Sequence, residues 1–416
     1  MAYGDGTGPY QVKGGRWVGA VDVGWTERGT RRRRTVSAKT RAECARKLRD
    51  LKRQVNAAVG QAPAASHATV KRWADEWLPI QAGRLRPKAY ATTEGMIRKW
   101  IIPTIGNRRL SDLTAHDARR LDQAILDAGR SSTTARTCRA TLSRMLRDAR
   151  REGHPVPQAI LDAEPPKRAA NSRRAIPADD AIRLLRAAAS RDQWPPLPAS
   201  VTGRARQAHR LASEVDPSRW VAALLQGMRQ GECLGLTWDR VDLDAGTITV
   251  DRQLQSVPLR AREAGVADAG WYAAEHLAGA YYLVPVKSAA GRRVIPLVPW
   301  MTAALTTWRE QCPPSPWGLV WPRLAGGPWS SGDDRRAWHA LQEVAGVSRP
   351  DGRPYTVHEA RHSAATLLMA LQVPAPVQVA IMGHSSIAVT QGYQHADLEG
   401  ARRALEGVAG LLQIEA

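Results

Sequence analysis

The chain has 416 residues, enough for two to four domains with substantial cores. Its 60 Lys plus Arg against 39 Asp plus Glu give a formal charge of +21 at pH 7, while 43% of residues are apolar. That apolar fraction excludes a disordered polycation, so the positive charge sits on folded domains and points to a polyanionic partner. The sequence has no apolar run of the ~18 residues that a membrane span needs, and the N-terminus has no apolar signal core, so a soluble, cytoplasmic protein is expected. Cys44, Cys138, Cys233 and Cys312 lie far apart, which argues against a disulfide frame and a zinc ribbon.

The chain has 15 Trp and no Phe, so Trp, Leu, Val and Ala must fill the cores. Only 9 of the 60 basic residues are Lys, which gives a lysine in an arginine-rich region some weight.

The first 60 residues hold 14 Lys plus Arg and 5 Asp plus Glu and are the most basic part of the chain per residue. Residues 17–25, WVGAVDVGW, alternate like a half-buried strand, and Arg31, Arg32, Arg33 and Arg34 run into Thr35, Val36 and Ser37 as a second strand. Thr40 is placed to cap a helix in which Ala45, Leu48, Leu51 and Val55 share a face. The four arginines read either as a solvated strand face or as a strand presenting alternate arginines to a DNA groove or to phosphates; the basic surroundings favour the second.

Residues 67–152 have the pattern of four short amphipathic helices. Val70, Trp73 and Trp77 form one stripe; Met96, Ile97, Trp100 and Ile101 form a second that is expected to end at Pro103. Thr114 with Asp117 resembles a capping box ahead of Leu121 and Ile125, and Gly129 stops that helix. In the fourth helix Cys138, Leu142 and Met145 face inward, with Arg136, Arg139, Arg144, Arg147 and Arg150 around them. Residues 154–174, with Pro155, Pro157, Pro165 and Pro166, read as a linker. From 175 onward helices are expected near 178–190, 218–226, 301–311, 333–345, 357–371, 375–382 and 397–412. Strands are expected at 246–254 and at 281–298, the latter folding back around 288–291; 191–217 and 255–280 read as loops or insertions. The expected fold is multidomain and mainly α with small β-sheets.

His358-Glu359-Ala360-Arg361-His362 matches the HExxH pattern of zinc proteases. Three features argue against it. Arg361 puts a permanent cation between the would-be ligands, residues 363–396 contain no Glu or Asp for a third ligand, and Thr356 with Glu359 forms a capping box. No metal site is expected.

A second constellation starts at GMRQGECLGLTWDRVDL, where Arg229 follows a glycine that ends an Ala- and Leu-rich helix. This stretch resembles the first arginine box of the tyrosine recombinases, or phage integrases. The other boxes follow in the family's order: Lys287 in PVKSAAGRRVIPL, His358 and Arg361 in TVHEARHSAATLL, His384 in IMGHSS and Tyr393 in TQGYQH. The resemblance covers residues 175–400 closely and implies a mixed, mainly helical catalytic domain over 175–416. More faintly, it implies a core-binding helical domain at 66–153 and an arm-type DNA-binding domain, a small sheet plus one helix, at 1–60.

The resemblance implies an integrase that cleaves and rejoins DNA through a 3′-phosphotyrosine bond, without ATP, cofactor or metal, to integrate or excise a phage or mobile element. Tyr393 is then the nucleophile. Arg229 and Arg361 hold the non-bridging oxygens of a transition state with extra negative charge, and His358 and His384 add donors. Lys287 protonates the leaving 5′-oxygen. It is the only lysine in residues 168–416, and an ammonium can release a proton where a guanidinium cannot. Glu232 orients the first arginine and His362 packs or hydrogen-bonds nearby. Arg31, Arg32, Arg33, Arg34, Arg139 and Arg147 are expected DNA contacts. The implied partners are double-stranded attachment-site DNA, three further copies of the chain in a tetramer on synapsed DNA, a DNA-bending protein and a directionality factor, with no membrane; the implied location is the bacterial nucleoid. A type IB topoisomerase-like relaxing enzyme and a catalytically silent DNA-binding regulator are the alternatives.

Overall fold

The arrangement of the chain comes from a computed structural model, which describes residues 8–12, 14–25, 31–61, 68–168, 175–267, 273–286, 291–383 and 398–413. Two units emerge: Met1–Leu78 with Thr93–Ala169, and Pro79–Thr92 with Ala170–Ala416.

The first unit opens with an antiparallel sheet of β1 (Tyr10–Gln11), β2 (Trp17–Trp25) and β3 (Arg31–Ala38), followed by α1 (Arg41–Gln61). Thr40 caps α1 by accepting from Glu43 N at 3.2 Å. Cys44 and Leu48 carry the buried face of α1, with Ala45 and Leu51 only partly covered. Gly19 lets α1 settle on β2, since a Cβ there would lie 3.0 Å from the Leu48 side chain. Arg33 and Arg34 are exposed, and as neighbours along β3 they point to opposite faces of the sheet.

The helical part consists of α2 (Val70–Ala82), α3 (Pro87–Met96), a π-helical turn (Ile97–Ile101), α4 (Ile102–Ile105), α5 (Ala115–Asp127), α6 (Ser132–Arg151) and α7 (Gln158–Asp162). Trp73 and Trp77 are buried and satisfy their indole N–H groups on Met145 O at 2.9 Å and Asp148 Oδ2 at 2.8 Å. The helix expected to stop at Pro103 instead runs on to Ile105. The π turn, in which Ile102 N reaches back to Ile97 O, widens the helix just where a proline ring would otherwise collide with the preceding turn. The Thr114–Asp117 capping box forms as read from the sequence, and Gly129 takes the left-handed conformation (φ 69°) beyond α5.

Of the expected linker, residues 154–168 are described. Val156 and Ile160 are buried, and Arg136 and Arg139 donate to Pro166 O and Ala163 O, each at 2.6 Å. These contacts tie its first two-thirds to α6.

The second unit contains α8 (Ala178–Ala189), α9 (Gly203–Glu214), α10 (Pro217–Leu224), α11 (Gln230–Leu234), β4 (Val241–Asp242), β5 (Thr247–Val250), β6 (Arg252–Ser256) and α12 (Leu259–Glu263). It continues with β7 (Glu275–Ala278), β8 (Tyr281–Pro285), β9 (Arg293–Pro296), α13 (Pro299–Gln311), α14 (Ser331–Ala345), α15 (Val357–Ala370), α16 (Ala375–Met382) and α17 (Leu398–Leu411). One continuous apolar core joins all of these but α12, with Trp220 and Trp338 packed at 5.0 Å between ring centroids. Among the described residues no helix is long and apolar enough to cross a membrane.

Four expectations change here. The stretch 191–217 contains α9, which lies against α14 and buries Leu211 and Ala212; its arginine-rich outer face hides so narrow an apolar stripe in the sequence. The stretch 255–280 contains α12 and β7. The strand expected at 246–254 divides at Asp251 between two antiparallel sheets, ordered β4-β5-β9 and β6-β8-β7. The strand 281–298 divides likewise, so β8 and β9 do not pair with each other; β8 pairs with β6 and β9 with β5. Val286 N donates to Asp251 O at 3.1 Å where one sheet gives way to the other.

Candidate active site

Arg229 sits at the N-terminus of α11, immediately after the chain leaves α10 through Gly227. Gly227 has φ 60°, and a Cβ there would lie 2.5 Å from Met382 Sδ. Only a glycine therefore lets this turn approach the end of α16. At its other end α11 meets β6 through Gly235, where a Cβ would come 2.4 Å from Leu254 N. Two glycines thus fix how deeply α11 beds into the unit.

The Arg229 guanidinium is forked. Nη1 donates to Glu232 Oε1 at 2.7 Å and Nη2 to Gly383 O at 2.9 Å, while the Arg229 backbone N–H donates to Glu232 Oε2 at 2.9 Å. About a third of the side chain stays open to solvent (36%). Glu232 is buried (2%) and is also gripped by Arg293, through Nη2 to Oε2 at 2.8 Å and Nη1 to Oε1 at 3.3 Å. Burial alone would raise the Glu232 carboxyl, but the charge and hydrogen bonds of Arg293, then those of Arg229, outweigh it and hold the group at about 2. Glu232 is a carboxylate at any working pH.

Arg361 lies on α15, whose start is fixed by Thr356 and Glu359. Glu359 is fully buried, accepts from Thr356 N at 2.7 Å and Thr356 Oγ1 at 3.0 Å, and pairs with Arg349. The glutamate of the HExxH-like run is thus engaged as a helix cap. Ser363 Oγ, one turn later, accepts from Ile176 N at 2.7 Å and ties α15 to the start of the unit. The Arg361 side chain is buried, its Nη1 donating to Gly227 O and its Nη2 to Met382 O. Burial, then the neighbouring charges of Arg229 and Arg293, push its ionisation down to about 9, so it remains a cation at neutral pH. His358, one helical turn before Arg361, is exposed; its ring meets that of half-buried His362 edge-on at 4.7 Å.

Two guanidiniums, Arg229 and Arg293, therefore pair with one carboxylate, and a third, Arg361, feels the charges of all three from its anchors on Gly227 O and Met382 O. The sum is a surplus of positive charge built into a largely buried frame, with unused N–H donors on Arg229 and Arg361. Such a frame suits an anion whose charge grows during a reaction. Among the described residues no group of three or more His, Cys, Asp and Glu could hold a metal ion.

Of the residues singled out in the sequence, Arg229 and Glu232 pair directly, Arg361 lies within reach of their charges, and His358 and His362 share the helix of Arg361. Lys287, His384 and Tyr393 lie outside the described residues, as do the side chains of Arg31 and Arg32. The segment holding Lys287 starts just after β8, and that holding His384 and Tyr393 starts directly after Gly383. Arg139, expected to touch DNA, is an interior side chain: it is 4% exposed, faces Asp122 at 3.8 Å and donates to Ala163 O. Arg147, one face further round α6, is exposed beside a groove of about 640 Å³ that Arg136 and Arg168 also line. Arg293 was missed. Its only sequence signal is a second arginine in GRRVIPL, which alternation along β9 turns inward.

The pattern of the phage integrase family matches residues 221–399, and that of the phage integrase N-terminal SAM-like domain matches residues 69–124. The chain belongs to the phage integrase family. It is thereby a DNA recombinase. Curated integrases similar to this family member include one of Saccharopolyspora erythraea, 24% identical with 93% of this chain and 92% of the relative covered, and one of Streptomyces ambofaciens, 25% identical with 93% and 91% covered. Among solved structures, the Tn1549 transposon integrase in complex with transposon right end DNA superposes with a TM-score of 0.60 at 18% identity, covering 82% of this chain and 99% of that one. A lambda integrase dimer bound to a COC′ core site gives 0.55 at 18% identity, covering 95% and 94%. A lambda integrase tetramer bound to a Holliday junction gives 0.53 at 19% identity, covering 93% and 98%. These likenesses place the present chain in the fold of multidomain integrases.

Proposed function

We propose that the chain is a site-specific recombinase that cuts and rejoins DNA through a 3′-phosphotyrosine intermediate, integrating or excising a mobile element. The observation that carries this reading is the surplus of guanidinium charge at Arg229 and Arg361, anchored to the end of α16 directly ahead of the segment that holds His384 and Tyr393.

In this reading Tyr393 Oη attacks the scissile phosphorus and passes its proton to His358, and the bond from phosphorus to the 5′-oxygen breaks. The 5′-oxygen takes a proton from Lys287. Arg229 and Arg361 hold the non-bridging oxygens where negative charge accumulates, with His358 and His384 as further donors. The reverse sequence, with a 5′-hydroxyl from another strand as nucleophile, reseals the backbone. The phosphodiester energy is kept in the tyrosyl ester, so no ATP is consumed. Glu232 aims Arg229 and does not touch the phosphate.

We assign arm-type DNA binding to residues 1–60, core binding to 66–153 and catalysis to 175–416, with 154–174 between the last two. A tetramer on two synapsed sites would exchange strands in pairs through a Holliday junction, the substrate on which the lambda tetramer was solved. The test is a nicked suicide substrate carrying the attachment core. Wild type should accumulate a protein joined to a 3′-phosphate, and Tyr393→Phe should bind the same DNA and form no adduct; an adduct on the Phe variant would move the nucleophile elsewhere. Relaxation of supercoiled plasmid irrespective of attachment sites would favour a topoisomerase instead.

A further inference from the structure

Three consecutive carbonyls at the C-terminal end of α16 each accept from a different arginine. Ile381 O takes Arg293 Nε at 2.7 Å, Met382 O takes Arg361 Nη2, and Gly383 O takes Arg229 Nη2 at 2.9 Å. The last carbonyls of a helix lack intrahelical partners and carry the negative end of its dipole, so a row of cations is a stable way to satisfy them. Gly383, with φ 62°, turns the chain at this point and leads straight into residues 384–397.

Arg229 and Arg361 have a place in the proposed chemistry. Arg293 does not: it is buried, and its nitrogens are taken up by Ile381 O, Gly291 O at 3.1 Å and both oxygens of Glu232. Like Arg229 itself, it grips both Glu232 and the end of α16, and it does so from a buried position on a strand. Its position on β9, paired with Val250 of β5, gives it a rigid base.

We infer that Arg293 is a positioning residue for strand cleavage: by clamping Glu232 to Ile381 it holds Arg229 and Arg361 in register with the end of α16 that delivers the nucleophile segment. The inference rests on the proposed function, since the cleavage rate is its readout. A geometric clamp of this kind acts on the chemical step and leaves the encounter with DNA alone. Loss of such an outer partner is expected to slow the chemistry by ~10- to 10²-fold.

The experiment measures single-turnover cleavage of the suicide substrate by the full-length chain across DNA concentrations, for wild type, Arg293→Gln, Arg293→Lys, Glu232→Gln and the Arg293→Gln/Glu232→Gln double variant, with thermal unfolding of each. Arg293→Gln should cut ~10- to 10²-fold more slowly at saturating DNA, with the half-saturating DNA concentration within about twofold of wild type. Arg293→Lys, which keeps a cation beside Glu232 but lacks the fork that spans to Ile381 O, should fall between the two, and it carries the test should the Gln variant not fold. In the Glu232→Gln background the Arg293→Gln loss should shrink to about threefold or less, because the two act as one unit. A weakened half-saturation at an unchanged maximal rate would make Arg293 a DNA contact and overturn the inference. So would losses that multiply in full in the double variant, or a Lys variant as fast as wild type. A wild type that cuts no DNA would sink the proposed function and this inference with it; a wild type that cuts beside equally fast Arg293 variants would sink the inference alone.

Discussion

Glu232 and Arg293 meet through two contacts of 2.8 and 3.3 Å between side chains that are 2% and 4% exposed, and the same carboxylate receives Arg229 at 2.7 Å. One buried anion thus serves two cations. The carboxyl is held at about 2 against an ordinary 4.5, so it contributes stability that is fully present above pH 4.5 and is lost as pH falls toward 2. At ~1.4 kcal/mol per pH unit the contribution is on the order of 3 kcal/mol. In urea titrations the gap between wild type and Glu232→Gln should be widest above pH 4.5 and should close between pH 4.5 and 2. A gap independent of pH would mean that the pair contributes by packing alone.

Arg229→Lys keeps the charge but loses the fork that reaches Glu232 and Gly383 together. DNA affinity and its salt slope should hardly change, because phosphate neutralisation is preserved. Cleavage should fall by ~10²- to 10³-fold, the usual cost of removing a positioned donor at a developing oxyanion. Equal losses in affinity and in cleavage would assign Arg229 to ground-state binding.

Gly227→Ala combines a left-handed backbone with a Cβ 2.5 Å from Met382 Sδ. Backbone strain alone costs about 1–3 kcal/mol, and the clash adds to it unless Met382 moves. Chemical denaturation should show at least that loss, and Met382→Ala in the same chain should recover part of it. A Gly227→Ala protein as stable as wild type would contradict the close approach of this turn to α16.

Lys287→Arg preserves charge and removes a releasable proton. Binding should persist while cleavage drops by ~10²- to 10⁴-fold, as for a lost general acid. A substrate whose leaving 5′-oxygen is replaced by sulfur needs little protonation and should restore most of the rate to this variant, though not to Arg229→Lys. The same wild-type to Lys287→Arg ratio on both substrates would leave Lys287 with charge alone and send the search for the acid to His358.

Asp122 is raised to about 6 from an ordinary 3.8 because burial penalises its charge more than Arg139, 3.8 Å away, repays. The penalty is present above about pH 6 and is relieved as pH falls through 6 toward 3.8, since the folded state then binds the extra proton. The stability of wild type relative to Asp122→Asn should therefore rise as pH is lowered across that window. A fall instead would mean that the ion pair is net stabilising.

Much of this protein is written locally. The capping boxes at Thr114 and Thr356, the strand 17–25, the tryptophan stripe of α2 and the order of the arginine, lysine, histidine and tyrosine boxes depend on residues a few positions apart, and they can be read without knowing what packs against them. Where tertiary contacts compete with local preference, the sequence misleads. Pro103 marks a helix end by propensity, yet a π turn carries the helix past it because Ile101 and Ile105 are needed in the core. Arg139 looks like its exposed neighbour Arg147, and only the approach of Asp122 and Ala163 makes it interior. Residues 281–298 read as one hairpin, but their partners in β5 and β6 divide them between two sheets. Arg293 is the clearest case: 61 residues separate it from Glu232 and 88 from Ile381, so no local pattern could reveal the clamp. The sequence by itself offered the candidates for the chemistry, because motif order is local; only the tertiary structure brought Arg293 into play, because the two carbonyls and one carboxylate it grips meet only when the chain is folded.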